Sequence, residues 1–267
     1  MNVYENTIQN YGLCKEGYSL KALIFDGVCL GKKRIVNTTG QWDGSIPRYE
    51  AQASEDGWDT DGCTVWGTQN CIETLEKHRF GVEKNYSERY TYNGAKIQRP
   101  GSTPDFVGAV IDELGLLEEH EMPFTKTYEE FITPRPLDDA SIKKGKEWLK
   151  KYSFSYDFVF PYKNKMKNGE KKIELMKEHL KYSPLGVSVS AWYLDGVSDT
   201  YIDAGYENNH WCECYGWNEK GWKIFDSYDN SKKILSFDHN ISTCMWYSLN
   251  HRMTFRNIFN LLIHANK

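Results

Sequence analysis

The sequence predicts an α+β fold in which a helical half precedes a half built of short antiparallel strands. Three observations carry this. Four segments between residues 63 and 182 place apolar or small residues at helical spacing, with capping and stop residues near their ends. From Val187 onward the pattern changes to short alternating strands separated by Gly, Asn and Asp turns. With 267 residues, the chain is long enough to bury a full core as two lobes of one fold. The expected division is an N-terminal β-rich extension over 1–45, a helical lobe over 46–155 and a β-rich lobe over 156–267, with a cleft between the two lobes.

Taken in order, residues 1–45 contain two expected strands, within SLKALIFDGVCLG and KKRIVNTTG, joined by a Gly turn. This segment is expected to pack on one lobe or to dock a viral or cellular protein partner. IPRYEAQ reads as a strand ending at Gln52. Residues 63–78 form a buried helix, with Thr64, Gly67, Cys71 and Leu75 near helical spacing and Asp61 as its cap. A second helix covers Pro104 to Leu114, entered through Ser102 and Thr103 and stopped by Gly115. The third, Ala140 to Tyr152, turns Ile142, Trp148 and Leu149 inward and its lysines outward. The fourth, Glu170 to Tyr182, carries Ile173, Met176 and Leu180 on one face. The lysine-rich PYKNKMKNGEKK is an exposed hairpin or loop.

Composition excludes several functions. A formal charge of -4 without a basic stripe argues against nucleic acid. The apolar runs are too short for a membrane span, and Met1 to Asn10 is too polar for a secretory signal. Seven irregularly spaced cysteines do not make a secreted disulfide framework, so a reducing, cytoplasmic or virion-associated setting is expected.

The chemistry concentrates in the strand-like run HWCECYGW. It begins at His210 and is followed by a turn over Asn218 to Gly221 and a second strand, WKIF, that delivers Asp226. Such a hairpin sets an imidazole beside a carboxylate, which orients the ring and favours its charged form. Upstream, Cys63 in DGCTVWGTQNCIETL falls at the first turn of the predicted buried helix. A helix N-terminus and a facing imidazolium both lower a thiol's pKa, so the set reads as a cysteine nucleophile with its base and orienting acid. Cys71, eight residues deeper in the helix, reads as core. A metal site at His210, Cys212 and Cys214 fails on spacing, because alternate strand positions spread over about 13 Å. No cofactor is implied.

The ordered set resembles the papain-like cysteine peptidases of the C1 type. That family runs nucleophile helix, long middle, His strand, turn and Asn strand. The glycine six residues and the third residue sixteen residues after His210 match its offsets. SPLGVSVSAWYLDG, NYSERYTYN and PGSTPDFVGAVIDELGLLEEHEMPF are similar to further family segments, so the likeness covers about residues 46 to 247. GCTVWG is similar to segments of tailed-phage and bacterial proteins, which implies a phage- or bacterium-encoded chain. The family's Gly-Ser-Cys-Trp is absent, its Asn is Asp226 here, and its following Trp is Tyr228. Its oxyanion Gln lies six residues before the Cys, where this chain has Gly57; Gln52 fills the role only with a loop about five residues longer. The resemblance implies a two-lobe fold and peptide hydrolysis by Cys63, His210 and Asp226, with Gln52 and the Cys63 N–H as oxyanion donors. It implies that Tyr228 shields the His–Asp contact, and that the backbones of Gly101 and Asn209 hold an extended peptide. Other acyl transfer, by a peptidoglycan amidase or a transglutaminase-like enzyme, and a catalytically silent binding or virion component remain open.

Overall fold

The computed structural model describes residues 12–14, 34–162, 169–194, 199–229 and 232–252. Its helices are α1 (Cys63–Phe80), α2 (Glu88–Gly94), α3 (Pro104–Leu114), α4 (Tyr128–Phe131), α5 (Asp139–Lys151) and α6 (Glu170–His179). Its strands are β1 (Tyr152–Phe160), β2 (Leu185–Val189), β3 (Thr200–Tyr201), β4 (His210–Trp217), β5 (Gly221–Phe225), β6 (Lys232–Ser236) and β7 (Cys244–His251). All seven strands join one sheet in the order β1-β7-β2-β4-β5-β6-β3. Neighbours are antiparallel except β3 and β6, which run parallel. The fold is thus α+β; among the described residues, five α-helices precede β1 and α6 lies between β1 and β2.

Local chemistry explains the helix ends. Ser87 Oγ accepts the Tyr90 N–H at 3.0 Å at the start of α2, and Asp138 Oδ1 accepts the Ser141 N–H at 2.8 Å at the start of α5. α3 begins on Pro104 and ends at Gly115. α1 ends at Gly81, whose left-handed φ of 67° lets its N–H reach Lys77 O.

Every residue of α1 from Cys63 to Glu76 is buried, so this helix forms the spine of the molecule and has no solvent face along that length. It lies against β4. A Cβ on Gly67 would stand 2.8 Å from Trp211 Cδ1 and 3.0 Å from the Trp211 carbonyl oxygen, so the absence of a side chain there is what allows the approach. On the other side Trp66, Phe124 and Phe131 pack ring against ring, with Trp58 stacked on Phe124.

Several expectations need correction. The N-cap of α1 is Gly62, not Asp61; Asp61 sits at a positive φ of 52° and no side chain caps the helix. Residues 34–40 form turns rather than the end of a strand, held by the N–H groups of Val36 and Asn37 on Lys181 O. Residues 46–52 make no strand, although the Gln52 N–H reaches Ser227 O at 3.0 Å. The fourth predicted helix stops at His179. The first expected strand of the N-terminal extension, and most of the lysine-rich connector (163–168), lie outside the described residues.

Candidate active site

Sheet register brings the site together. Cys214 on β4 is paired with Ile224 on β5, and Ile224 with Lys233 on β6. Because side chains alternate along a strand, His210, Cys212 and Cys214 share a face with Ile224, Asp226 and Lys233. On that face His210 Nε2 lies 2.7 Å from Asp226 Oδ1, and both side chains are fully buried. The same oxygen accepts the Tyr228 N–H at 3.2 Å. The second oxygen, Oδ2, accepts from Lys233 Nζ at 2.7 Å, and Lys233 also pairs with Asp229. Burial works against the charge of Asp226. The charge and hydrogen bond of His210, then those of Lys233, outweigh it and hold the carboxyl well below the usual range.

Aromatic rings close this arrangement. Trp192 meets the His210 imidazole edge to face at 5.6 Å, and Tyr201 packs on Trp192 at 5.3 Å. The Lys233 ammonium lies 4.7 Å from the Trp192 ring centre. The segment carrying Trp192 is fixed by polar contacts: Ala191 N–H donates to Asn209 Oδ1 at 2.9 Å and Ser190 N–H to His239 Nε2 at 3.0 Å.

Cys63 heads α1 as expected, with its thiol within hydrogen-bonding reach of the Trp211 backbone N–H, one residue from His210. Its environment differs from the expectation of a lowered pKa. Burial pushes the thiol well up, the Trp211 N–H opposes this, and Asp59, Asp226 and Asp61 add to the rise. Cys71 is likewise buried, with Glu213 and the thiols of Cys214, Cys212 and Cys244 around it, so it is a core residue.

Gln52 is fully buried. Its Nε2 donates to Asp59 Oδ1 at 3.1 Å and its Oε1 accepts from Ser227 Oγ at 3.0 Å. It therefore ties the residue after Asp226 to the loop that enters α1. Asp59 in turn accepts the Asp61 N–H at 2.8 Å, and Gly62 N–H donates to Thr60 Oγ1 at 3.0 Å, which shapes that loop.

The chain's own residues 12–14 lie along the edge where a peptide was expected. Ser102 N–H donates to Gly12 O at 2.9 Å and Cys14 N–H donates to Ser102 O at 2.8 Å, a parallel bridge centred on Leu13. The strand-type bonds thus fall on Ser102, one residue beyond Gly101. Gly101, at φ 118°, stands so close to Gly12 that a Cβ would lie 1.9 Å from the Gly12 oxygen. Gly12 also packs on the Asp61 backbone, two residues before Cys63. Asn209 donates its N–H to Val189 O at 3.0 Å, and its side-chain Oδ1 accepts the Ala191 N–H. Tyr228 serves Asp226 through its backbone. Sequence reasoning passed over Lys233, Trp192, Asp59 and Ser102. Only the period-2 alignment of β5 and β6 could have pointed to Lys233, and that requires the register of a hairpin whose turn carries no fixed signal.

No family model matches the chain, and no curated protein matches it in sequence. Solved structures do. Amb a 11, a ragweed pollen cysteine protease in its proform, aligns with a TM-score of 0.58 at 15% identity, over 87% of this chain and 70% of that one. The clostridial cysteine protease Cwp84, after propeptide cleavage, aligns at 0.58 and 12% identity, over 79% of this chain and 57% of that one. Digestive procathepsin L 3 of the Tenebrio molitor larval midgut aligns at 0.58 and 11% identity, over 90% and 76%. The fold is papain-like. At these identities the likeness is one of architecture. Cys63 heads the spine helix, and His210 opens the strand against which that helix packs.

Proposed function

We propose that the chain is a cysteine peptidase that hydrolyses peptide bonds through Cys63, His210 and Asp226. The observation that carries this reading is the buried 2.7 Å contact between His210 Nε2 and Asp226, on the strand against which Cys63 opens its helix. Asp226 fixes the ring by one nitrogen, so Nδ1, on the opposite edge, serves the thiol. In the reaction the Cys63 S–H proton passes to Nδ1 as sulfur bonds to the amide carbon. The tetrahedral oxyanion takes hydrogen bonds from the Cys63 N–H, at an unsatisfied helix start, and from Gln52 Nε2. Imidazolium then gives its proton to the amine nitrogen, the C–N bond breaks, and a thioester remains. Water attacks the thioester as His210 takes its proton, releasing the acid and restoring the thiol.

A second reading, a catalytically silent scaffold, draws on the complete burial of Cys63 and on Gly12 lying across the Asp61 backbone. One experiment separates the two. Treatment with an epoxide inhibitor of cysteine peptidases, followed by peptide mapping, is expected to modify Cys63 and not Cys71. The wild-type chain is expected to cleave denatured casein, and Cys63→Ala to abolish cleavage. Failure of both labelling and cleavage favours the silent scaffold. Labelling without cleavage points to acyl transfer on a different amide.

A further inference from the structure

Lys233 has a side chain that is 1% exposed, and three features aim it at the site. Register places it opposite Ile224, hence diagonal to Asp226 on the shared face. Its Nζ holds Asp226 Oδ2 at 2.7 Å while Oδ1 holds His210. The Trp192 ring that it approaches at 4.7 Å is the same ring that packs on the imidazole. A fully buried ammonium is expensive unless paired, so its position is determined by the carboxylate it meets.

We propose that Lys233 is a positioning residue of the active site: with Asp226 it forms a buried ion pair that acts on His210 as one nearly neutral hydrogen-bond acceptor, and so sets the pH range over which the Cys63 thiolate and His210 imidazolium coexist. This rests on the peptidase reading above. A lone buried carboxylate would pull on the imidazolium and repel the thiolate. The ammonium on its far oxygen cancels most of that field while leaving the geometry of Oδ1 unchanged. The pair thereby does with two charges what a neutral side-chain amide, which the resembling family carries at the Asp226 position, does with none. Cys63 from α1 and Cys212 from β4 lie in the field of Asp226, Asp59 and Asp61 from the loop before α1 act on Cys63, and Lys233 also meets Asp229 from the turn before β6 and the Tyr201 ring from β3. Among the described residues in contact with Asp226, Lys233 is the one permanent cation.

The test is a charge-balance cycle read on two signals: the far-ultraviolet absorbance of the Cys63 thiolate gives the acid limb, and the pH dependence of kcat/KM gives the alkaline limb, where the imidazolium that protonates the leaving amine is lost. Each protein is titrated with pH, and the same protein carrying Cys63→Ser is subtracted to remove the other cysteines. Lys233→Met leaves Asp226 unbalanced, so both the acid limb, where the thiolate forms, and the alkaline limb, where imidazolium is lost, move up by about one pH unit or more. Asp226→Asn leaves the ammonium unbalanced and both limbs move down. The double variant Asp226→Asn/Lys233→Met buries no charge, and its limbs return to within about 0.3 unit of wild type. That variant also covers the case in which Lys233→Met does not fold. A Lys233→Met curve that overlays the wild type overturns the proposal, as does a double variant displaced as far as Asp226→Asn alone. A wild type with no Cys63 thiolate at any pH refutes the peptidase reading itself, and the role of Lys233 with it.

Discussion

Gln52 binds two parts of the site with one side chain, since its amide nitrogen reaches Asp59 and its amide oxygen takes the Ser227 hydroxyl. The amide nitrogen that meets Asp59 is the atom proposed to donate to the tetrahedral oxyanion. Gln52→Ala is therefore expected to lower kcat by about 10²- to 10³-fold with KM little changed, because the lost bond belongs to the transition state. Steady-state kinetics on a peptide substrate, with epoxide labelling of Cys63 as the control for site integrity, checks this. An unchanged kcat would assign Gln52 to loop structure alone. At this scale the three central residues were legible for a physical reason. A His that opens a strand and an Asp that closes the next are brought together by any hairpin, and a Cys before a buried helical run must lie at a helix start. Lys233 was not legible, because a lysine in a polar turn segment normally points to water. Its burial is decided by Asp226, Trp192 and Tyr201, which come from three other parts of the chain.

Elements rather than single residues control access to Cys63. The helix start is pinned from below by the glycine contact of α1 on β4, and Gly12 lies against its entering loop. Leu13 is 5% exposed and belongs to the main core, so the short stretch 12–14 is docked by both its backbone and an apolar side chain. Burying a leucine is worth about 1.5–3 kcal/mol, which corresponds to about a ten- to hundredfold change in the docked fraction. Leu13→Asp is expected to undock the stretch and raise the rate of Cys63 alkylation by iodoacetamide by about that factor, with the circular dichroism spectrum retained. An equal rate in both proteins would mean that residues 12–14 do not guard the thiol. The helix Pro104–Leu114 was predicted to the residue because its entry at Thr103–Pro104 and its stop at Gly115 are local signals, whereas α2 and α4 were missed. The segments 34–40 and 46–52 misled because backbone N–H groups of Val36, Asn37 and Gln52 donate to the carbonyls of Lys181 and Ser227 without a strand partner. That depends on tertiary neighbours which no local pattern encodes.

The molecule as a whole carries a second electrostatic feature, a set of buried carboxyls on the helical side. Glu73 on α1 and Glu88 on α2 are pushed well up by burial, and each is raised further by Glu50. Burial also raises Glu50 itself, against hydrogen bonds from Asn85 and Glu88 and the charge of Arg48. Glu119 is pushed up to about 7, chiefly by burial, with the Phe124 N–H and Arg89 opposing it. Glu213 on β4 is pushed up to about 8 by burial, although the Thr74 hydroxyl and Lys232 oppose the shift. In the unfolded chain these groups titrate near 4.3. Between that value and their folded values the native state holds more protons than the unfolded state, so stability falls as pH rises through the window. Two groups act in the opposite sense. Asp226, held low, contributes stability above its unfolded value that is lost as pH drops toward its folded one. His239, lowered to about 4 by burial, stays neutral in the fold, so stability also falls as pH drops from about 6.5 toward 4. Above about pH 4.3 the raised carboxyls outnumber His239, which acts against them in that range, so thermal unfolding is expected to show a Tm that falls from about pH 5 through pH 8. Glu119→Gln, which replaces a carboxyl that must stay protonated with an amide that needs no proton, should flatten that decline without moving the acid side. Scanning calorimetry across pH on the two proteins checks this, and a Tm that rises from pH 6 to 8 would show that the buried carboxyls find charge partners on folding.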